Sequence, residues 1–286
     1  MLSIQVQSPS QPILPQNPGE VLNWRKLHGS SASYTLAELS KKGKPIVYVC
    51  ADTAHVQTLE KELSFFLDSD IPIYSFPDWE CLPYDRVSPH PDIISQRLLA
   101  LHKLPQMQAG VLIIPITALM QRLTPASYIT AHSLMLSTGD EFNIEQFRKQ
   151  LSDAGYYSVD QVMSPGEFAV RGGIVDVFPS GMNSPFRLDL FDTTIETIRL
   201  FDTETQRSDE RLEEIRLLPA REFPLDDQSI QTFRQAFRAT VHGDPKQSQV
   251  YREVTKGLAP TGSEFYLPLF FEQTDTLFDY LSNESC

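Results

Sequence analysis

The sequence predicts an α/β protein, in which a parallel sheet domain, discontinuous in sequence, carries an inserted α+β module with antiparallel strands. Strands alternate with helices from about residue 21 to 131, short alternating strands dominate 132–216, and helical patterns return in 217–286. Alternating strands and helices imply a parallel sheet with both faces covered. We therefore predict one domain formed by 21–131 and 217–286, an inserted module at 132–216, and a disordered tail at 1–20.

The first segment supplies three strands and three helices. The strands are the short apolar runs "PIVYVCA", "IPIYSF" and "GVLIIPI". The helices are "SYTLAELSKK", which ends at Gly43, then "AHVQTLEKELSFFL" and "IISQRLLALHKL". The second of these helices is amphipathic, because its apolar residues recur at helical spacing: Val56, Leu59, Leu63 and Phe66.

The inserted module begins with the helix "NIEQFRKQLSDAGY", for which Asn143 is the expected cap and Gly155 the stop. The runs "EFAVRGGIVDVFPSG", "PFRLDLFD" and "TIETIRLFD" alternate with turns and predict an antiparallel meander. After Leu217, "DDQSIQTFRQAFRATV", "SQVYREVTKGL" and "EFYLPLFFEQTDTLFDYL" predict helices. We expect the last of them to pack on the sheet of the first domain.

Composition argues for a protein partner. Lys and Arg number 24 against 37 Asp and Glu, which gives a net charge of −13. Phosphate binding depends on Lys and Arg density, so the chain is a poor general DNA binder. Three distant cysteines, Cys50, Cys81 and Cys286, form neither a disulfide framework nor a zinc ligand set and fit a cytoplasmic protein. We expect no signal peptide and no membrane segment.

The stretch "LHGSSASYTLAEL" has the outline of a phosphate-binding loop. Such a loop needs glycines, a lysine for the phosphates and a Ser or Thr for Mg²⁺. Aligned on Thr35, the sequence puts Tyr34 at the lysine position and Ser33 in place of a glycine, with His28 and Gly29 at the start. These residues favour an ordinary loop over an active nucleotide site, so we predict no bound cofactor.

The stretch "FPDWECLPYDRVSPHPD" combines acidic and aromatic residues. A metal site or a catalytic carboxylate pair is an alternative for its acids and histidine, which are Asp78, Glu80, Asp85, His90 and Asp92. Four prolines favour a stiff surface connection instead, with Trp79 and Tyr84 packed against the body of the protein. We therefore predict no metal site and no catalytic residues.

The strand "FRLDLF" has one apolar face and one mixed face. Alternate residues of a strand share a face, which places Phe186, Leu188 and Leu190 in the core and Arg187, Asp189 and Phe191 on the opposite, exposed face. Arg171, from "AVRGG", reaches the same face if the hairpin pairs as predicted. Arginine beside an exposed aromatic is typical of an interface anchor. The residues alone also allow a solvated face with one stray aromatic.

Four stretches resemble one family closely. "DWECLPYDRVSPHPDIISQRL", "GVLIIPITALMQRL", "DAGYYSVDQVMSPGEFAVRGGIVDVFPSG" and "RLDLFDTTIETIRLFD" are similar to the amino-terminal part of the bacterial transcription-repair coupling factor. The resemblance implies a domain like excinuclease component B without its ATPase, and an inserted module that binds excinuclease component A. The family's surface for component A matches Arg171, Arg187 and Phe191. The implied mechanism is recruitment of component A by mimicry of component B.

The resemblance also implies functions that lie beyond residue 286. The family continues with an RNA polymerase-binding domain and an ATP-driven, Mg²⁺-dependent DNA translocase, so "SNESC" is expected to be the edge of a longer protein. RNA polymerase and DNA are then partners of the remainder. Within these 286 residues we predict a non-catalytic module, with the loop around Tyr34 as the remnant of a phosphate loop. The alternatives are a residual nucleotide-binding domain or a damaged-DNA-binding domain, although the short connection at 76–92 leaves little room for a DNA-clamping hairpin.

Overall fold

The computed structural model describes residues 10–17, 19–24, 27–83 and 85–281. The helices α1 to α9 are Ser31–Ser40, Thr53–Phe66, Pro91–Lys103, Ile116–Leu119, Ala126–Ala131, Ile144–Asp153, Asp227–Thr240, Gln249–Val254 and Leu277–Tyr280. The strands β1 to β11 are Pro45–Cys50, Ile73–Ser75, Gly110–Pro115, Leu134–Ser137, Tyr157–Ser158, Glu167–Arg171, Ile174–Phe178, Phe186–Phe191, Thr194–Phe201, Ser208–Leu212 and Glu214–Leu217. The predicted mixture of a parallel and an antiparallel sheet is confirmed.

The chain forms two compact units. The first unit contains Met1–Asp78, Lys103–Gln121 and Leu277–Cys286, and the second contains Trp79–His102 and Arg122–Thr276. These limits do not coincide with the predicted domain boundaries at 132 and 217, which stay a prediction. No helix in the described part of the chain combines the length and apolar character needed to cross a membrane.

The first unit is built on the three predicted parallel strands, in the order β1-β3-β2. The central strand β3 is buried along its whole length, as its apolar sequence "GVLIIP" requires. Helices α1 and α2 cover the sheet with Leu36, Leu39, Leu59 and Leu63, which pack with Val111 and Ile113 in one cluster. The predicted amphipathic face of α2 is therefore confirmed.

Part of the predicted tail contacts the first unit. Leu14 packs against the apolar cluster of that unit, and the Lys42 ammonium donates a hydrogen bond to the carbonyl of Pro12. Residues 1–9 and 18 of the predicted tail lie outside the described residues.

The second unit is built on the predicted meander, a six-stranded sheet in the order β10-β9-β8-β7-β6-β5. Strands β6 to β10 are antiparallel neighbours, and the short strand β5 pairs with β6 in parallel. Helix α6 begins at Asn143, whose side chain accepts from the Gln146 amide as predicted. Phe147 and Leu151 of α6 are buried on one sheet face against Phe186 and Leu188.

The opposite face of this sheet is divided into an apolar and a charged half. Ala169, Phe178 and Phe201 form a small buried cluster with Val162 at the apolar end. Arg171, Arg187 and Phe191 lie on the other half of the same face. One face of the sheet is thus buried against α6, and the other face carries the small apolar cluster around Phe178 and Phe201 on one half.

The segment after β11 contains an aromatic cluster. Phe233 and Phe237 of α7 and Tyr251 of α8 form an aromatic cluster with Phe223 and Phe270. The prediction of one continuous helix in "EFYLPLFFEQTDTLFDYL" is wrong, because Ser263–Leu269 is a 3₁₀ helix and α9 covers only Leu277–Tyr280. Pro268 lies inside the first piece and lacks the N–H that an α-helix needs.

Candidate functional site

The meander brings Arg171 and Arg187 together on one sheet face. Phe186 and Leu188 are fully buried on the core face of β8, so the predicted alternation is confirmed there. Arg187 lies directly across from Asp176 of β7, and Arg171 ends the next strand, β6. Because neighbouring side chains of one face project in parallel, the two arginines converge on the carboxylate between them.

Asp176 accepts hydrogen bonds from both arginines. The Arg187 guanidinium binds it in a bidentate manner, with Nε 2.6 Å from Oδ1 and Nη2 2.9 Å from Oδ2. Arg171 Nη2 lies 2.5 Å from the same Oδ2. Asp176 is 1% exposed, and its hydrogen bond raises the pKa of Arg187. We call Arg171, Asp176 and Arg187 the open cluster, because one of its members reaches solvent.

The three predicted interface residues differ in exposure. The side chain of Arg171 is 51% exposed and that of Arg187 only 16%, whereas Phe191 is 74% exposed. The expectation of an exposed Arg187 is therefore wrong. Its guanidinium carbon lies 4.7 Å from the centre of the Phe201 ring, which belongs to the apolar half of the face. Arginine stacks well on aromatic faces, so Phe201 covers one side of Arg187.

Phe191 owes its exposure to its position at the end of a hairpin. It is the last residue of β8 and pairs with Thr194, the first residue of β9. The connecting Asp192 has a positive φ of 56°, which the two-residue hairpin turns of the primed types need at their first central position. The register of the two strands shifts between Asp189 and Leu190. The hairpin end therefore presents an aromatic ring to solvent beyond the open cluster.

Asp176 is the residue that the sequence interpretation missed. A signal was present, since Asp176 stands between two valines in the strand "IVDVF", where an unpaired carboxylate is costly. Alternation places it on the face opposite Val175 and Val177, which is the face of Arg171. A single acidic residue within an apolar strand therefore predicts a basic side chain nearby that pairs with its carboxylate.

The predicted phosphate-loop residues are held by contacts within the first unit. His28 and Gly29 lie before α1, and Ser30 and Ser33 both donate to the carboxylate of Glu62 on α2. Thr35 is buried and donates to the Ser31 carbonyl at 2.7 Å. Tyr34 packs edge-on against the Phe66 ring, with centroids 5.6 Å apart. The descent of this loop from a phosphate loop stays a prediction.

A second arginine and carboxylate pair lies in the interior of the second unit. Arg97 Nε donates to Glu222 Oε1 at 2.7 Å, and Trp79 Nε1 donates to Glu222 Oε2 at 2.9 Å. The guanidinium carbon of Arg97 is 4.9 Å from the centre of the Trp79 ring. We call Trp79, Arg97 and Glu222 the closed cluster, because the Arg97 and Glu222 side chains are at most 1% exposed. The prediction that Trp79 packs against the body is confirmed, whereas Tyr84 lies outside the described residues.

The described residues of the acidic stretch around Trp79 do not form a metal-binding group. In the described ranges, no set of three His, Cys, Asp or Glu side chains is arranged to hold a metal ion. Cys50 is not part of a disulfide, and burial raises the pKa of its thiol to about 11. A thiol with that pKa is protonated near neutral pH and is a poor nucleophile. Cys286 lies outside the described residues.

Residues 134–223, which contain the antiparallel sheet and the open cluster, match the family model described as the UvrB interaction domain. This part of the chain is therefore similar to a UvrB interaction domain. Arg171, Asp176, Arg187 and Phe191 all lie within the matched residues of this domain. The charged half of the sheet face thus lies within the part of the chain that matches this family model.

The whole chain is similar to transcription-repair-coupling factors, as its motifs predicted. The factor of Escherichia coli (strain K12) is 42% identical over 269 residues, which cover 93% of this chain and 23% of the relative. The Haemophilus influenzae factor is 41% identical over 279 residues, covering 96% and 24%, and the Myxococcus xanthus factor is 33% identical over 279 residues, covering 93% and 23%. The chain spans about a quarter of the length of the curated relatives it matches.

Proposed function

We propose that the UvrB interaction domain of this chain binds excinuclease component A, the UvrA protein, in transcription-coupled nucleotide excision repair. The observation that carries the proposal is the charged half of the sheet face, where two arginines converge and Phe191 projects beyond them. Arg171 and Phe191 supply a charged donor and an exposed aromatic ring, the residue types enriched at binding hot spots. The family-model match to residues 134–223, which include these residues, supports an interaction role for this part of the chain.

The chemistry of this surface suits specific recognition. An arginine guanidinium offers several N–H donors in a planar fork, which gives short, oriented hydrogen bonds to a partner carboxylate. Phe191 is 74% exposed in this chain, and its burial by a partner removes an apolar ring from water. The arginines would set orientation, and Phe191 would supply apolar contact energy.

The mechanism would be recruitment by mimicry. The domain presents to UvrA the kind of surface that excinuclease component B, the UvrB protein, presents, so UvrA is brought to a stalled transcription complex and is later passed to UvrB. This role requires binding and no chemical step in this chain. RNA polymerase displacement, DNA contact and ATP hydrolysis with Mg²⁺ are proposed for the remainder of a longer protein, in line with the length of its relatives.

Calorimetry with purified UvrA tests the proposal. We expect the wild-type chain to bind, and Phe191→Ala to weaken binding by at least about 1–2 kcal/mol. Because Phe191 is exposed, the free energy of unfolding of this variant should differ from that of the wild type by less than about 0.5 kcal/mol.

Phe65→Ala is the matched control for this measurement. Phe65 is 83% exposed, but it lies on α2 in the first unit, outside the UvrB interaction domain. This variant should bind like the wild type. Equal affinities for Phe191→Ala and the wild-type chain would move the interface elsewhere, and no binding by the wild type would refute the proposed function.

A further inference from the structure

We propose that Asp176 is a positioning residue, which holds Arg171 and Arg187 as one preset unit that takes a single carboxylate of the partner. This inference rests on the proposed function and specifies the chemistry of its site. It is carried by the geometry of the open cluster, in which one buried carboxylate accepts from both arginines.

The two arginines have different tasks in this arrangement. Arg187 uses Nε and Nη2 on Asp176, and its Nη1 lies 3.4 Å from the Gln206 carbonyl. With its side chain 16% exposed and stacked on Phe201, it is a fixed part of the surface. Arg171 contacts Asp176 through Nη2 and is 51% exposed. A partner group therefore reaches Arg171 more readily than Arg187.

The charge of the open cluster defines the group that fits it. Two guanidinium groups and one carboxylate leave one net positive charge at the surface. One carboxylate of the partner neutralises this charge, and a second would be unpaired in the interface, which is unfavourable. The surface thus fits a partner that presents one acidic side chain beside an apolar pocket, and the pocket would receive Phe191.

Asp176 also reduces the loss of side-chain entropy on binding. A free arginine side chain loses rotamer freedom when a partner immobilises it. The bidentate bond fixes Arg187 in the free protein, and the shared Oδ2 restrains the end of Arg171. Because the order exists before binding, Asp176 increases affinity without contacting the partner.

Calorimetry of Asp176→Asn with UvrA tests this inference. Asparagine keeps the size of the side chain but removes its charge, and we expect affinity to fall by about tenfold, which is more than most interface substitutions cost. In a background that carries both Arg171→Ala and Arg187→Ala, the same substitution should change affinity by less than about twofold, because Asp176 acts through these two arginines. Full additivity of the two effects would overturn the inference.

Glu222→Gln is the matched control. Glu222 is also a buried carboxylate bound to an arginine in the second unit, at 2% exposure. Its replacement should leave affinity within about twofold of wild type, since the closed cluster is buried away from any partner. An equal loss from Glu222→Gln and Asp176→Asn would show a general effect of instability and would overturn the positioning role.

A second pair of variants keeps Asp176 in place, for the case that Asp176→Asn does not fold. Arg187→Lys retains the charge but cannot form the bidentate bond, so it should bind as weakly as Arg187→Ala, within about twofold. Arg171→Lys, which replaces a single contact, should retain more affinity. Wild-type affinity for Arg187→Lys would overturn the inference alone, whereas no binding by the wild-type chain would refute the proposed function as well.

Discussion

The open and closed clusters share a buried carboxylate bound to an arginine, but they differ in what reaches solvent. In both, the guanidinium carbon of that arginine lies over an aromatic ring, 4.7 Å from the centre of the neighbouring Phe201 at the open cluster and 4.9 Å from the centre of Trp79 in the closed cluster. In the closed cluster the second carboxylate oxygen accepts from Trp79. In the open cluster it accepts from Arg171, which is half exposed. A second arginine, placed at the surface, is what turns a structural motif into a candidate binding site.

The two clusters also differ in whether their arginines contribute to folding or to binding. A buried pair such as Arg97 and Glu222 adds little net stability relative to apolar residues, but removal of one partner leaves a buried charge unpaired. A half-exposed group such as Arg171 retains water and is available to another protein. We therefore expect substitutions in the closed cluster to affect folding, and those in the open cluster to affect binding.

Arg97→Ala should have the largest effect on stability. It leaves the Glu222 carboxylate buried without its positive partner, while the neutral Trp79 N–H still donates to it, and we expect a loss of about 3–5 kcal/mol in the free energy of unfolding. Urea denaturation measures this loss. A change below about 1 kcal/mol would remove the distinction between the two clusters.

Arg187→Ala should affect both stability and binding. Asp176 keeps one partner, Arg171, so we expect a smaller stability loss of about 1–3 kcal/mol. Affinity for UvrA should fall by at least about 1–2 kcal/mol. Urea denaturation and calorimetry on the same preparation measure the two effects separately. A stability loss equal to that of Arg97→Ala would indicate that Arg187 has a purely structural role.

Arg199→Ala should have a small effect on stability. Arg199 pairs with Asp189 at 3.3 Å, and both side chains are about one-third exposed, at 34% and 28%. Pairs of this kind contribute about 0–1 kcal/mol and weaken with salt. Denaturation of this variant at low and high salt measures how much an exposed ion pair on this sheet face contributes to the free energy of unfolding. A loss above about 2 kcal/mol would show that exposure is a poor guide to the role of an arginine here.

Glu264 should add a weak pH dependence to the stability of the second unit. Burial raises its pKa above the ordinary value of 4.5, with Glu222 adding to the shift and a Ser88 hydrogen bond opposing it. Ionisation of Glu264 therefore disfavours the folded state. The protonated carboxyl contributes fully to the free energy of unfolding below about pH 4.5, and this contribution is lost as pH rises through the raised pKa. The wild type should become less stable relative to Glu264→Gln over that rise, and a constant difference would contradict the expectation.

Local patterns predicted the strands of the parallel sheet, the central strands of the meander and the two arginines of the open cluster, because alternation assigns side chains to faces. Spacing alone places Phe186 and Arg187 on opposite faces. The closed cluster was not predictable, since Arg97 and Glu222 lie 125 residues apart and no local period relates them. The exposure of Arg187 was misjudged for a similar reason, because Phe201 covers it from a neighbouring strand.

The same distance in sequence affects how the second unit is synthesised. Trp79 and Glu222 are separated by 143 residues, and Ser88 and Glu264 by 176. Elongation at about 5–20 residues per second puts roughly 7–30 s between the appearance of Trp79 and that of Glu222. During this interval the tryptophan and Arg97 have emerged without their carboxylate. The antiparallel hairpins, whose contacts are local, have time to form before the closed cluster is complete.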